Sequence, residues 1–238
     1  MVTIGKDRPS IVRETRFGSW FQGTGIWVNH VLNVAFGQLA ELMEHPRDSY
    51  PVIVDVGCGH GYAFRLLQDR FRPQRLVGVD YDSECLAAAR RQAEADHLRV
   101  ELLQNECTSL SLPSESADLI FCHQTLHHLV QQDKALDEFY RVLKPGGLLL
   151  LAESTKVFIY SWNVRWFFAH PMDMQRTAEE YLSMVRAHGF EVDDRHTSFP
   201  GPWWSYADLG LRDCLRSVGI PPPAREISQI NLVARKSR

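Results

Sequence analysis

A chain of 238 residues can bury the core of one α/β domain, or of a domain plus a cap, and its composition (45% hydrophobic, 23% charged) is that of a globular protein rather than a disordered one. A formal net charge of −3 speaks against a nucleic-acid surface, which carries a basic excess. Five cysteines, at 58, 85, 107, 122 and 214, are scattered without a Cys-x-x-Cys pair, so the expectation is reduced thiols in a cytoplasmic protein, not a disulfide frame. No apolar run reaches membrane-spanning length, the N-terminus lacks a signal-like segment, and there is no repeat or low-complexity stretch.

Residues 1–16 are polar and mixed in charge and read as a loose arm. Phe17, Trp20, Phe21 and Trp27 then gather around Gly23 and Gly25, and a helix is expected over residues 29–44. Its apolar positions Val31, Leu32, Ala35, Phe36, Leu39 and Met43 keep the 3–4 spacing of one buried stripe. Pro46 and Pro51 punctuate the link to a β-branched run over 52–56, the pattern of a strand buried on both faces. Gly57, Gly59 and Gly61 follow at once, before a helix striped by Phe64, Leu67 and Phe71 that Pro73 ends. Glycines between a strand's carboxyl end and a helix's amino end let a ligand lie directly on main chain. The dinucleotide pattern Gly-x-Gly-x-x-Gly would need its third glycine at position 62, which is tyrosine. Asp55, two residues ahead of the first glycine, would repel a pyrophosphate and suits a ligand bearing an ammonium group. A tight turn holding no ligand is the plain alternative.

A second strand over 75–79 closes on Asp80, about 20 residues past the glycines, where an acid reaches a ribose in doubly wound folds. Asp82 or Ser83 caps the Ala-rich helix behind it. A third strand covers 98–103, followed by Glu106 and Cys107. A fourth, 118–122, runs into His123-Gln124-Thr125-Leu126-His127-His128-Leu129. His123 and His127 stand four residues apart as metal ligands can, but no third ligand sits at metal spacing, so no metal is expected. A helix capped near Asp133 ends at Lys144-Pro145-Gly146-Gly147, where glycine supplies a left-handed cap, and a fifth strand covers 148–152. Aromatic residues crowd 154–175, Thr177 to Glu180 forms a capping box, and a sixth strand begins near Phe190. Residues 199–225 insert Pro-Gly-Pro-Trp-Trp, a short amphipathic helix (Leu211, Leu215, Val218) and three prolines before a last strand over 227–234.

Asp55-Val56-Gly57-Cys58-Gly59-His60-Gly61 resembles motif I of the class I S-adenosylmethionine-dependent methyltransferases, and Val77-Gly78-Val79-Asp80-Tyr81-Asp82 resembles their motif II. Leu-His-His-Leu after strand four and Leu-Lys-Pro-Gly-Gly before strand five are similar to the family's later motifs, so the likeness covers residues 52–153. It implies a Rossmann-like, doubly wound α/β fold: a seven-stranded sheet with one antiparallel strand between strands five and six, and helices on both faces. The aromatic N-terminal segment and the late insertions would cap it. In domain terms, 1–45 is an arm and lid helix and 46–238 the methyltransferase domain, with insertions at 154–175 and 199–225. The resemblance further implies S-adenosyl-L-methionine as cofactor. Asp55, Gly57, Cys58, Gly59 and Gly61 would cradle it, Asp80 would bind the ribose, and Tyr81 would lie on the adenine. Glu106 and Cys107 stand where the family writes Asp-Ala against the adenine edge, a departure that leaves an exposed loop carboxylate as the other reading of Glu106. Cys122 and His123 would offer backbone carbonyls to the methionine ammonium.

The expected reaction is in-line methyl transfer to an O, N or C atom of a small, aromatic or aliphatic molecule. Candidate bases are His127, Glu153, His123, Tyr160 and His170, with His127 and Glu153 foremost because they follow the tips of strands four and five. The aromatic insertions would close an apolar pocket, with a homodimer face or a shallow membrane contact as other uses and no integral membrane segment. A binder without turnover and, behind it, a nicotinamide-dependent enzyme are the competing classes.

Overall fold

The computed structural model describes residues 11–43, 47, 49–206 and 226–237. The expected amphipathic helix around Leu211 to Val218, the three prolines and Cys214 lie outside them. In chain order the elements are α1 Arg16–Gln22, α2 Gly25–Trp27, α3 Asn33–Leu42, β1 Val52–Val56, α4 Ala63–Phe71, β2 Arg75–Asp80, α5 Ser83–Ala95, β3 Val100–Gln104 and β4 Ala117–His123. There follow α6 Gln132–Val142, β5 Leu143–Ser154, α7 Lys156–Ile159, α8 Trp162–Phe167, α9 Ala178–Ala187, β6 Phe190–Glu191, β7 Thr197–Ser198 and β8 Gln229–Lys236.

The strands lie in the order β3-β2-β1-β4-β5-β8-β6, with the two-residue β7 also pairing β8 off that path. β1 to β5 are mutually parallel, and β8 runs antiparallel to β5, β6 and β7. The seven-strand path and the reversed strand between β5 and β6 are as the sequence implied; β7 is an addition. The chain leaves β1 toward β2 on one side and returns from β3 to β4 on the other, so the strand order reverses between β1 and β4. A crevice opens there at the carboxyl ends, the place where open α/β sheets hold ligands.

Side chains alternate between two cores because successive strand residues point to opposite faces. Val54, Val56, Ile120 and Leu149 pack under α6 and α9 with Phe139 and Tyr181. Ile53, Leu119, Phe121 and Leu150 pack under α3, α4 and α5 with Leu39, Phe64 and Leu67. The helix expected over 29–44 is thus a layer of the second core, but it is not continuous. Thr24 caps α2, a π-helical turn spans Val28–Leu32, and α3 follows.

Asp82, one of the two caps expected, is the cap of α5, accepting from the Glu84 N–H at 2.8 Å. Two boundaries moved for local reasons. The cap of α6 is Gln131, two residues ahead of Asp133 and lacking a side-chain bond of its own. β5 begins at Leu143, not 148: Pro145 forces the residue before it out of helical geometry, and the extended chain pairs with β4 across a register irregularity near Ala117. α4 stops on Arg72 in the left-handed region (φ 48°), just ahead of Pro73. The capping box of Thr177 and Glu180 forms as its spacing requires.

The expected loose arm is docked where it is described. Ile11 bridges to Leu129, the Val12 N–H donates to the His128 carbonyl at 3.1 Å, and Arg13 pairs with Asp82 at 2.9 Å. Thr15 caps α1 and donates through its hydroxyl to the Phe167 carbonyl at 2.6 Å. A polar composition hid this docking because its partners are carbonyls and carboxylates of distant loops.

Leu67 is fully buried between α4 and the sheet. Leu67→Ala should therefore lower unfolding free energy by about 2–5 kcal/mol, read as a shift of the denaturant midpoint at unchanged slope.

Candidate cofactor and acceptor site

At the tip of β1 the chain turns through Gly57 (φ 74°), Gly59 (φ 51°) and Gly61 (φ 81°), all in the left-handed region. A Cβ on Gly57 would overlap the Thr125 side chain, and one on Gly61 would meet the Phe64 ring at 2.6 Å. One on Gly59 would meet nothing within 4 Å and would stand in the open crevice. Gly61 is thus a packing glycine, whereas Gly59 presents bare main chain.

Asp80, at the tip of β2, ties this loop to its neighbour: its Oδ2 accepts from the Gly59 N–H at 2.9 Å and its Oδ1 from the Asp82 N–H at 3.0 Å. Burial raises its pKa against the pull of those two donors. Asp55 is still more enclosed. Its carboxylate is 2% exposed, its Oδ2 has no hydrogen-bond partner, and burial first, then the charge of Asp80, pushes its pKa up to about 8. An unpartnered buried carboxylate is costly, so the site is built for a cation or donor that the chain itself does not supply.

Two connected cavities occupy the crevice. The larger, about 840 Å³, is lined by Gly57, Gly59, Asp80, Tyr81, Cys107 and Thr125, and by the arm through Arg13, Glu14 and Trp20. The smaller, about 60 Å³, is lined by Asp55, Cys58, Trp27 and His123 and shares Gly57, Gly59 and His60 with the first. His123 lies stacked on Phe121 and edge-on to Trp27; its Nε2 is buried without a partner, and burial pushes its pKa down to about 3. It is a neutral ring at physiological pH.

The remaining sequence candidates fall elsewhere. Glu106 is exposed and Cys122 is fully buried within β4; neither lines a cavity. Tyr160 is turned away, its hydroxyl donating to the Met172 carbonyl at 2.9 Å and its ring under Lys156. His127 and Glu153 do come together. Glu153 Oε2 bonds His127 Nδ1 at 2.6 Å, and Glu153 Oε1 accepts the N–H groups of Thr125 (2.8 Å) and Leu126 (2.7 Å). Both are buried and neither lines a cavity; His128 does. The adjacency arises because β4 and β5 are parallel neighbours whose tips turn toward each other.

The apolar pocket expected to be closed by the late insertions falls partly on residues 207–225, outside the described residues. Among the described residues, Trp162, Trp166, Phe167 and Phe168 do not line the large cavity, whose walls carry Arg13, Glu14, Arg16, Asp82 and Arg91 beside Ile11, Trp20 and Leu129. Phe167 and Phe168 instead pack against Phe17 and Phe21 of α1. Sequence reasoning passed over Glu14, Arg13 and Thr125 because their part in the site depends on contacts between distant segments. The cysteines 58, 85, 107 and 122 are free, and burial raises all four thiols above their ordinary value, so none is a ready nucleophile.

A bare glycine shelf, an acid at the tip of β2 and a buried carboxylate with an unpartnered oxygen thus meet at the switch point of a seven-strand path. The family model described as "Methyltransferase domain" matches residues 54–151, from β1 into β5. An S-adenosylmethionine-dependent methyltransferase of Mycolicibacterium smegmatis is 31% identical over 150 residues, 63% of this chain and 55% of its own length. The demethylmenaquinone methyltransferase of Thermus thermophilus is 36% identical over 101 residues, 42% of this chain and 46% of its own. The chain thus spans about half the length of these relatives. A chain of the Haloferax volcanii complex between the Trm112 methyltransferase activator and a methyltransferase superposes with a TM-score of 0.67 at 20% identity, covering 93% of both, which shows the shared fold. Residues 54–151 are thus similar to a methyltransferase domain, and the relatives they resemble are named as methyltransferases. Among the described residues no helix is long and apolar enough to cross a membrane.

The raised pKa of Asp55 has a measurable consequence. Its folded value of about 8 exceeds the ordinary 3.8, so the folded state holds the proton more tightly. The associated stability is fully present below about pH 3.8 and is lost as pH rises toward about 8. In the ligand-free protein, Asp55→Asn should raise the melting temperature near pH 8, with the gain vanishing near pH 4. An equal gain at both values would show that the carboxylate carries no buried charge.

Proposed function

We propose that the protein transfers the methyl group of S-adenosyl-L-methionine to an O, N or C atom of a small molecule by in-line displacement. The single observation that carries this reading is the buried Asp55 carboxylate, one oxygen of which has no hydrogen-bond partner, in the lining of the small cavity beside Gly57 and Gly59. When bound, the cofactor supplies a sulfonium whose methyl is electrophilic and whose leaving group departs neutral. Asp55 would answer the amino-acid ammonium, with the carbonyls of Cys122 and His123 beside it. Asp80 retains lone pairs for the ribose hydroxyls after its two backbone bonds. Tyr81 and Cys107 would meet the adenine, with Glu106 the outlying member of that set.

The chain's own contribution to the reaction is mainly orientation. Holding acceptor and methyl within about 3–3.5 Å and in line removes several kcal/mol of the barrier without a charged catalyst. The Glu153–His127 pair would act by fixing the turn that carries His128 into the cavity wall, since neither member reaches the cavity itself. The mixed lining fits an acceptor with an apolar ring or chain and a polar handle, the handle facing Arg13, Arg16 or Arg91. Demethylmenaquinone, the acceptor named for the Thermus thermophilus relative, joins a ring to an oxygen in this way.

Calorimetric titration with S-adenosylhomocysteine should give one site per chain. Asp80→Ala should weaken it about 10- to 100-fold, the worth of one to two charge-assisted hydrogen bonds. Unchanged affinity would remove Asp80 from the ribose. Radiolabelled methyl donor offered with a panel of small metabolites should yield labelled product. Tight cofactor binding with no transfer to any of them would favour a binder without turnover.

A further inference from the structure

Three imidazoles meet beside the large cavity. His127 and His128 come from the turn after β4, and His170 comes from the segment after α8, a part of the chain with no counterpart in the matched family region. Their ring centroids are 4.3 Å (His127 to His128), 4.8 Å (His128 to His170) and 5.2 Å (His127 to His170) apart. One ring nitrogen from each lies within 4.8 Å of the other two.

The outward bonds of these rings matter as much as the spacing. Nδ1 of His127 is taken by Glu153 at 2.6 Å, and Glu153 is itself fixed by two backbone N–H groups, so Nε2 is the nitrogen left over. His128 turns its Nε2 toward Glu14 Oε2 at 3.8 Å, while its Nδ1 is buried without any partner. Glu14 is held in turn, its Oε1 accepting from the N–H groups of Thr15 (2.7 Å) and Ala169 (3.0 Å), the latter next to His170. Two of the three rings thus have a carboxylate behind one nitrogen and a free second nitrogen. This is the outer-shell arrangement that orients metal-bound histidines and strengthens their donation. Nothing in the packing of an apolar core calls for three imidazoles and two anchored carboxylates from four separate segments.

We infer that His127, His128 and His170 bind one divalent transition-metal ion of the zinc type, with Glu153 and Glu14 as the carboxylates that orient the first two rings. A tetrahedral ion with bonds of about 2.0–2.1 Å brings its ligand nitrogens to roughly 3.3 Å from one another. The rings therefore need to close by no more than about 1.5 Å on binding. Three imidazoles leave a fourth position open, as in sites where an ion acts on a bound oxygen. His128 lines the cavity that also holds Gly57, Gly59 and Asp80, so an ion bound behind its ring would hold that stretch of the cavity wall in place. The ion site stands on the three rings alone; only this use of it rests on the methyl-transfer reading.

The test takes the full chain, strips it with a chelator and titrates it with Zn²⁺ by calorimetry, with Co²⁺ as a spectroscopic stand-in. One ion per chain is expected, with the strong visible absorption of four-coordinate Co²⁺ bound through nitrogen. His170→Ala should weaken Zn²⁺ at least tenfold and abolish that absorption, while S-adenosylhomocysteine still binds and reports an intact fold. If His170→Ala fails to bind S-adenosylhomocysteine, His170→Asn carries the same expectation. His188, which pairs with Asp137 at 2.7 Å on the surface, serves as control, and His188→Ala should leave Zn²⁺ binding unchanged. Substoichiometric binding to the native chain, equal affinity in the His170 variants, or loss only in His188→Ala would each overturn the assignment. Loss of S-adenosylhomocysteine binding by the native chain would instead strike the methyl-transfer reading.

Discussion

Much of the structure follows from one electrostatic demand: a carboxylate must be kept at the closed tip of the central strand with no partner of its own. Asp55 lies in β1, between β2 and β4, and water is shut out by Trp27, Cys58 and His123. The tolerable way to hold such a group is to leave a donor-shaped space beside it. The glycines supply that space by removing the side chains that would fill it. Asp80 adds a second negative charge to the same region, raising the value at Asp55 further. The free energy of burying that group is then recoverable when a cation or donor arrives beside it.

The residues expected to hold a cofactor could be proposed from the sequence because they lie where a strand ends and the chain turns. Asp55, the glycines and Asp80 are read from local pattern alone, since a parallel sheet aligns all its carboxyl ends on one edge. The strand order and the reversed β8 also followed from the resemblance. What could not be read was anything made by contact between distant segments. The arm looked loose because charged and polar residues give no packing signal, yet Arg13, Glu14 and Thr15 each find a partner far along the chain. Tyr160 looked close to the chemistry because it follows β5 by few residues, but α7 carries it outward. His170 was one base candidate among five, and its neighbours in space, His127 and His128, were invisible from spacing.

The aromatic insertions illustrate the same limit from the other side. Their composition suggested pocket walls, and instead they clamp α1 to the segment after β5, so that the arm has something to rest against. Trp166 is 80% exposed and Trp162 57%, so this clamp also presents apolar surface outward. Composition reports that a residue wants a partner, not which partner it will find.

The arm's docking carries a consequence for traffic through the crevice. It reaches from Leu129 past the glycine turn to Asp82, so it lies across the rim like a drawbridge, fastened at one end by main-chain bonds and at the other by the Arg13 contacts. Arg13 is 63% exposed, and ion pairs of that kind hold by about 1 kcal/mol or less and yield to electrolyte. The latch on the β2 side is therefore the weaker hinge-point. Electrolyte would loosen the Arg13 contact first, while the bonds of Val12, Glu14 and Thr15 keep the arm across the crevice.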